Sequence, residues 1–239
     1  MYGIMRLEKL KSNSEIGGAA SHHTRSRPTP NSDRYGTDNP AGGIEILAGS
    51  GDAVPAQVQN RIQEATGKNP RKNAVLALDV FLGASPEFFR PENPNQAGEY
   101  NRERVEEFKT HAMEWLKTEF GEENIICAVV HLDESTPHVQ AIVTPITDDG
   151  RLSAKDFTGG KQRLQKMQDR FADAVKPLGL ERGQRGSKAR HKTIRQYYAE
   201  AEESAAGFSI KGLFLSPKNQ PPETDLIQNR TRKKLQNKR

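Results

Sequence analysis

Apolar and polar residues alternate over residues 2–8, Tyr-Gly-Ile-Met-Arg-Leu-Glu, which predicts a first β-strand. Residues 73–83, Asn-Ala-Val-Leu-Ala-Leu-Asp-Val-Phe-Leu-Gly, are apolar almost without interruption, the pattern of a strand buried on both faces. From 99 to 120 the apolar positions Val105, Phe108, Ala112, Trp115, Leu116 and Phe120 recur mostly at spacings of three and four. That spacing predicts an amphipathic helix, with Trp115 in the core rather than offered to a nucleobase. A second helix is expected over 161–175, with Leu164, Met167, Phe171 and Val175 on one face and Pro177 and Gly179 as its stop. Shorter helices are expected over 55–65 and 193–206. Residues 9–21 read as a flexible approach or a short helix, and 84–89 as a turn or short helix. Pro28 and Pro30 make 22–33 a loop, and the rest of 34–72 is weakly patterned.

The strongest local signal spans 124–146. An apolar run, Ile125 to Val130, leads into His131-Leu132-Asp133-Glu134-Ser135-Thr136-Pro137-His138-Val139-Gln140, and a second apolar run leads out. Asp-Glu-Ser-Thr-Pro is turn chemistry, so the segment reads as a β-hairpin. If Leu132 and Pro137 face each other across the turn, His131 lies opposite His138 at roughly 5 Å between Cβ atoms. Alternation then puts Gln140 on the same face. The chain is expected to be an α+β domain built on one central antiparallel sheet, with helices covering one face. It divides into a folded domain over 1–206 and a basic, disordered tail over 207–239.

Charge sharpens this division. The formal net charge is +5, but residues 211–239 alone carry eight Lys/Arg against two Asp/Glu. The remaining chain holds 28 basic and 29 acidic residues. Within it, Arg182, Arg185, Lys188, Arg190, Lys192 and Arg195 crowd into a short stretch. Two basic regions on a neutral body point to a polyanion, nucleic acid foremost. For the tail, a merely solvated charged segment is the plainer alternative. No run of about 18 apolar residues predicts a membrane span, and no signal peptide is evident. The single Cys127 sits in an apolar strand and excludes an internal disulfide. A cytoplasmic location is expected.

A His131/His138 pair suits a divalent ion such as Mn, Zn, Fe, Co or Ni, with Gln140 as a weaker oxygen donor and Asp133 and Glu134 close by. A histidine pair bonded to carboxylates on a sheet surface is the alternative. An ion held there with open positions, beside basic residues, points to phosphodiester chemistry. The nucleophile is open on these grounds: His22 or His23 in the expected loop, or Tyr35, Tyr100, Tyr197 or Tyr198. Arg25 and Arg27 are placed to hold phosphate.

The decapeptide His-Leu-Asp-Glu-Ser-Thr-Pro-His-Val-Gln resembles the His-x-Asp-Glu-x-x-Pro-His-x-His motif of the MobV (Pre/Mob) plasmid mobilisation relaxases. The resemblance continues through Gly17-Gly18-Ala19 and His22-His23-Thr24-Arg25, through Arg71-Lys72-Asn73-Ala74-Val75 and Ser85-Pro86-Glu87-Phe88-Phe89, and through Leu152-Ser153-Ala154-Lys155-Asp156, Gly160 and Gln168-Asp169. It ends with Leu180-Glu181-Arg182-Gly183, Ser187-Lys188-Ala189 and His191, so that it covers roughly residues 1–205. It implies an HUH-type relaxase: a metal-dependent transesterase that nicks plasmid DNA at its origin of transfer and keeps the 5′ phosphate as a phosphohistidine. It implies His22 as nucleophile, Glu134 as the acid that activates or orients it, and Arg25 and Arg71 near the scissile phosphate. His131, His138 and Gln140 would hold the metal, Mn²⁺ first, with Mg²⁺ or another ion as alternatives. Arg182, Lys188, Arg190 and His191 fall in the DNA-binding basic segment. Origin DNA, single-stranded or as a hairpin, is the expected partner, with a conjugative coupling protein beside it and a monomer or weak dimer as the assembly. Two departures stand out. Gln140 occupies the place of a third histidine, as in some other HUH enzymes, and the family's Asn-Tyr-(Asp/Glu)-Leu motif has no counterpart, since residues 39–46 lack tyrosine. The alternatives are a rolling-circle replication initiator with a tyrosine nucleophile and an origin-binding protein without catalysis.

Overall fold

The computed structural model describes residues 1–27, 29 and 43–183, all within one compact unit, Met1–Ser187. The expected helix over 193–206, the tail, Lys188, Arg190, His191, Tyr35, Tyr197 and Tyr198 lie outside the described residues, as does the proposed boundary at 206.

A six-stranded sheet forms the centre, in the order β2-β4-β5-β3-β1-β6. Its strands are β1 (Tyr2–Leu10), β2 (Ile44–Ala48), β3 (Ala77–Ala84), β4 (Ile125–His131), β5 (His138–Val143) and β6 (Glu181–Arg182). All neighbouring pairs are antiparallel except β1 with β6. The strands read from the pattern are there. The edge strands β2 and β6 were not expected: β6 is two residues long, and β2 leaves Ile46 45% exposed, so neither carries a long apolar signal.

Among the described residues six α-helices flank the sheet: α1 (Asn13–His23), α2 (Val54–Thr66), α3 (Pro86–Phe89), α4 (Arg102–Phe120), α5 (Ala154–Thr158) and α6 (Gly160–Val175). They cover both faces, not one. Strand side chains alternate, and β3, β4 and β5 are buried along nearly their whole length, so each face needs its own cover. On one face Leu78, Val80, Leu82, Ala128, Val130, Val139 and Ala141 pack with Phe108, Trp115 and Leu116 of α4 and Met167 and Phe171 of α6. On the other, Ala77, Cys127, Val129 and Ile142 pack with Ile16 and Ala20 of α1 and Val58 and Ile62 of α2.

α1 also corrects the reading of residues 22–33 as a loop from its first position, because the helix continues through His22 and His23. Ser12 and Glu15 form a capping box, with Glu15 N–H on Ser12 Oγ at 3.2 Å and Ser12 N–H on the Glu15 carboxylate at 3.2 Å. That start signal and the buried stripe Ile16, Ala20, His23 outweigh the low helix propensity of Gly17 and Gly18.

Candidate metal and catalytic centre

The β4–β5 hairpin closes in the register expected from the sequence: His131 pairs with His138, and Val129 with Gln140. All three polar side chains are on the face that α1 covers, and all are buried, His131 completely. The turn between the strands is pinned by the buried Arg90. Its guanidinium donates to Ser135 O at 2.8 Å, to Pro94 O at 2.9 Å and to Thr136 Oγ1 at 3.2 Å. The ring of Phe81, on β3 beside the hairpin, stacks on His138 with centroids 4.7 Å apart.

Two backbone carbonyls fix the histidine tautomers. His131 Nε2 lies 3.0 Å from His23 O and His138 Nδ1 lies 3.0 Å from Thr136 O. A carbonyl only accepts, so each of these nitrogens carries the hydrogen. The other two, His131 Nδ1 and His138 Nε2, are then lone pairs, and they face each other at 3.1 Å. Burial, the largest cause, pushes the His131 pKa down to about 3, so His131 is neutral near physiological pH. Two converging lone pairs repel unless a cation sits between them. Two ligand nitrogens about 2.1 Å from one ion in neighbouring positions are roughly 3 Å apart, the spacing seen here. Backbone partners on the far nitrogens are the usual outer support of such ligands. Gln140 Oε1, on the same face, is buried without a hydrogen-bond partner. The donor set therefore fits a divalent ion.

The C-terminal end of α1 meets this pair from above. The His22 and His131 rings are 5.6 Å apart, and His22 Nε2 is 4.0 Å from Glu134 Oε1. Glu134 Oε1 is also 3.5 Å from His131 Nδ1. His22, His131 and Glu134 thus form a second possible ligand set, their ligand atoms all within 4.8 Å of one another. Burial, followed by the neighbouring His131, His23 and Arg25, pushes His22 down to about 3, so its imidazole is neutral at physiological pH. Burial raises Glu134, but the polar contacts around it, with the Arg25 guanidinium 2.8 Å away, outweigh it and hold the carboxyl below its usual range.

Arg25 ties these parts together. It occupies the left-handed region, with φ of 56°, just past the helix cap at Thr24, where glycine is the favoured residue. Its Nε and Nη2 donate to the two Asp133 oxygens at 2.8 and 2.7 Å, Nη2 also to Glu134 Oε1 at 2.8 Å, and Nη1 to His22 O at 2.8 Å.

The structure therefore brings together His22, Arg25, His131, Glu134, His138 and Gln140. It does not bring Arg71 or Arg182 to them. Arg71 precedes β3 at the strand end remote from Gly83, the partner of His138. Arg182 is on β6, three strands from β5, paired with Asp169 and bonded to Gln168 Oε1 at 3.0 Å. The His23 ring is fully buried, 6.0 Å from the ring of His131, with Nε2 3.2 Å from Asp79 Oδ1. Asp79 was missed, although a lone carboxylate in a doubly buried strand announces a buried partner. Arg90 was missed as well, and its Phe-Phe-Arg-Pro context carries no comparable signal.

A helix-flanked antiparallel sheet whose central hairpin sets two histidines beneath a helix-end histidine is the architecture of a relaxase domain. The chain belongs to the plasmid recombination enzyme (Mob_Pre) family, whose model matches residues 1–199. It is 37% identical over 92% of its length to the 65 kDa protein of Zymomonas mobilis, and 33% identical over 84% to plasmid recombination enzyme type 3 of Staphylococcus aureus. It spans 35% and 48% of those proteins, respectively. Its fold matches the MobM relaxase domain bound to plasmid pMV158 oriT DNA, a Mn-bound crystal structure. The TM-score is 0.68 and the identity 27%, covering 84% of this chain and all of that domain. Among the described residues no helix is long and apolar enough to cross a membrane.

Proposed function

We propose that this chain is a DNA relaxase that nicks one strand at a plasmid origin of transfer and rejoins it, acting in the cytoplasm. The observation that carries the reading is the convergence of two tautomer-locked imidazole lone pairs, His131 Nδ1 and His138 Nε2, under His22. A divalent ion, manganese first, is held by His131, His138 and Gln140, and when bound it supplies Lewis-acid polarisation of the phosphoryl oxygens.

The chain's own residues perform the rest. Arg25 orients Glu134 and fixes the end of α1 through His22 O, so that His22 faces the hairpin. The imidazole of His22 is neutral, so one ring nitrogen keeps a lone pair for attack. His22 Nε2 attacks through its lone pair and forms the P–N bond as the P–O3′ bond breaks, while Glu134, 4.0 Å from that nitrogen, orients the ring. The phosphoimidazolium gives its Nδ1 proton to water, and the 3′ oxygen takes one from water and leaves as a hydroxyl. Reversal rejoins the strand. His22 is preferred over His23 because the His23 ring is turned to Asp79.

The experiment is incubation of the chain with a single-stranded oligonucleotide of its plasmid's transfer origin and Mn²⁺, followed by denaturing electrophoresis. The expected product is a covalent adduct, labile to acid as a phosphoramidate is, and absent in His22→Ala. An acid-stable adduct that survives His22→Ala would show a tyrosine nucleophile, and specific binding with no adduct would show a non-catalytic origin binder.

A further inference from the structure

The position of Arg71 leaves it without a role at the histidine site. Gly83 of β3 is opposite His138, whereas Leu78 is opposite Val143. These five residues of strand span roughly 17 Å, and Arg71 precedes β3 altogether. It lies instead in a cleft of about 760 Å³ at that remote end of the sheet, with Lys68 and Lys155. All three are exposed, and among the described residues none of their side chains has an ion pair or hydrogen bond. The fourth cation of the cleft, Arg151, is by contrast neutralised by Asp149 and Asp156. Three unpaired cations around one concavity create a local positive field.

We infer that Lys68, Arg71 and Lys155 form a second DNA-backbone site, separate from the nicking centre, that grips phosphates of the same DNA some distance from the cleaved bond. The inference rests on the relaxase reading for the identity of the polyanion. At 3.4 Å per nucleotide along one strand, a 17 Å separation corresponds to about five nucleotides or more. Such contacts are to phosphate, so they add affinity and register without sequence preference.

The test uses the full chain, without metal, and fluorescein-labelled random-sequence duplex DNA of about 30 base pairs, with affinity measured by anisotropy over a salt series. A triple variant, Lys68→Ala, Arg71→Ala and Lys155→Ala, is compared with a charge-matched control, Lys161→Ala, Lys166→Ala and Lys176→Ala, whose exposed lysines lie on or just after α6. The cleft variant is expected to bind roughly tenfold or more weakly. The slope of log affinity against log salt should become shallower by about 2 to 3, and the control slope should change by less than about 1. Equal loss in the two variants, or none in either, overturns the inference. Adduct formation by the unaltered chain is scored separately. If no adduct forms but the slope contrast holds, the relaxase reading fails and the cleft assignment stands.

Discussion

The guanidinium of Arg25 bonds both carboxylate oxygens of Asp133, a residue 108 positions further along the chain, at 2.8 and 2.7 Å. The pair joins the end of α1 to the β4–β5 turn, and so joins the two segments that carry the histidines. Holding a non-glycine residue in the left-handed region costs roughly 1 kcal/mol, which the bidentate, largely buried pair offsets.

Arg25→Lys should keep the charge and lose the fork, lowering the nicking rate by about 10²-fold. Arg25→Ala should also destabilise the fold by about 3 kcal/mol, since Asp133 is left buried and unpaired. In the double variant Arg25→Leu with Asp133→Leu, urea denaturation should recover most of that loss while nicking stays low. Recovery of nicking together with stability would show that the pair serves only the fold.

The sequence carried the hairpin well because a period of two leaves few choices. Once Leu132 is set opposite Pro137, the His131–His138 pairing and the Gln140 face follow. The second layer of helices was less legible. α1 has two glycines and few large apolar residues, so only its capping box marks it, and the prolines after it drew His22 and His23 into an expected loop. What the sequence could not reveal is contact across distance: Arg25 with Asp133, His131 with the backbone of His23, Arg90 with the turn. None has a period or spacing, and each depends on where the sheet brings two remote segments together. The same limit applies to Arg71, whose place beside a family motif suggested the nicking centre and whose position at the far end of β3 does not.

Metal should stabilise the fold measurably, because it relieves two facing lone pairs in a buried site. At an ion concentration 100 times the dissociation constant, binding to the folded state contributes about 2.7 kcal/mol. For a domain of this size that is a rise in Tm of roughly 5–10 °C. Differential scanning fluorimetry with Mn²⁺, reversed by EDTA, should show it, and His131→Ala or His138→Ala should abolish it. An unchanged Tm in Mn²⁺ with the histidines intact would remove the metal from the proposal.

The metal-free protein should lose stability as pH falls from 7 to 5. His22 and His131 stay neutral in the folded chain down to about 3, whereas in the unfolded chain they take up protons near 6.5. Between those values the unfolded state binds more protons, so stability rises with pH and is lost on acidification. By pH 5 the loss is roughly 2 kcal/mol per histidine, at 1.36 kcal/mol per pH unit. The Glu8 carboxyl, raised chiefly by burial, opposes this trend on acidification. Urea midpoints of EDTA-treated protein should therefore fall between pH 7 and 5, and fall less in His22→Gln. A midpoint that is flat or rises on acidification would contradict the buried, neutral state of both rings.

Gln140 sets the character of the proposed ion site. Its Oε1 is buried and has no hydrogen-bond partner, a state that costs about 1–3 kcal/mol unless something binds the oxygen. An amide oxygen is a harder and weaker donor than imidazole, so a site of two histidines and one amide discriminates less against Mn²⁺ relative to Zn²⁺ or Ni²⁺ than one of three histidines would. Gln140→His should tighten Ni²⁺ and Zn²⁺ by about tenfold or more and Mn²⁺ by less. Gln140→Leu removes the donor at similar volume, and should weaken Mn²⁺ by about tenfold while relieving the orphaned oxygen and so leaving the metal-free fold at least as stable. Isothermal titration with each ion, paired with urea denaturation in EDTA, separates the two effects. If Gln140→Leu binds Mn²⁺ as tightly as the natural chain, the third ligand is not Gln140, and Glu134, 3.5 Å from His131 Nδ1, is the next donor to replace.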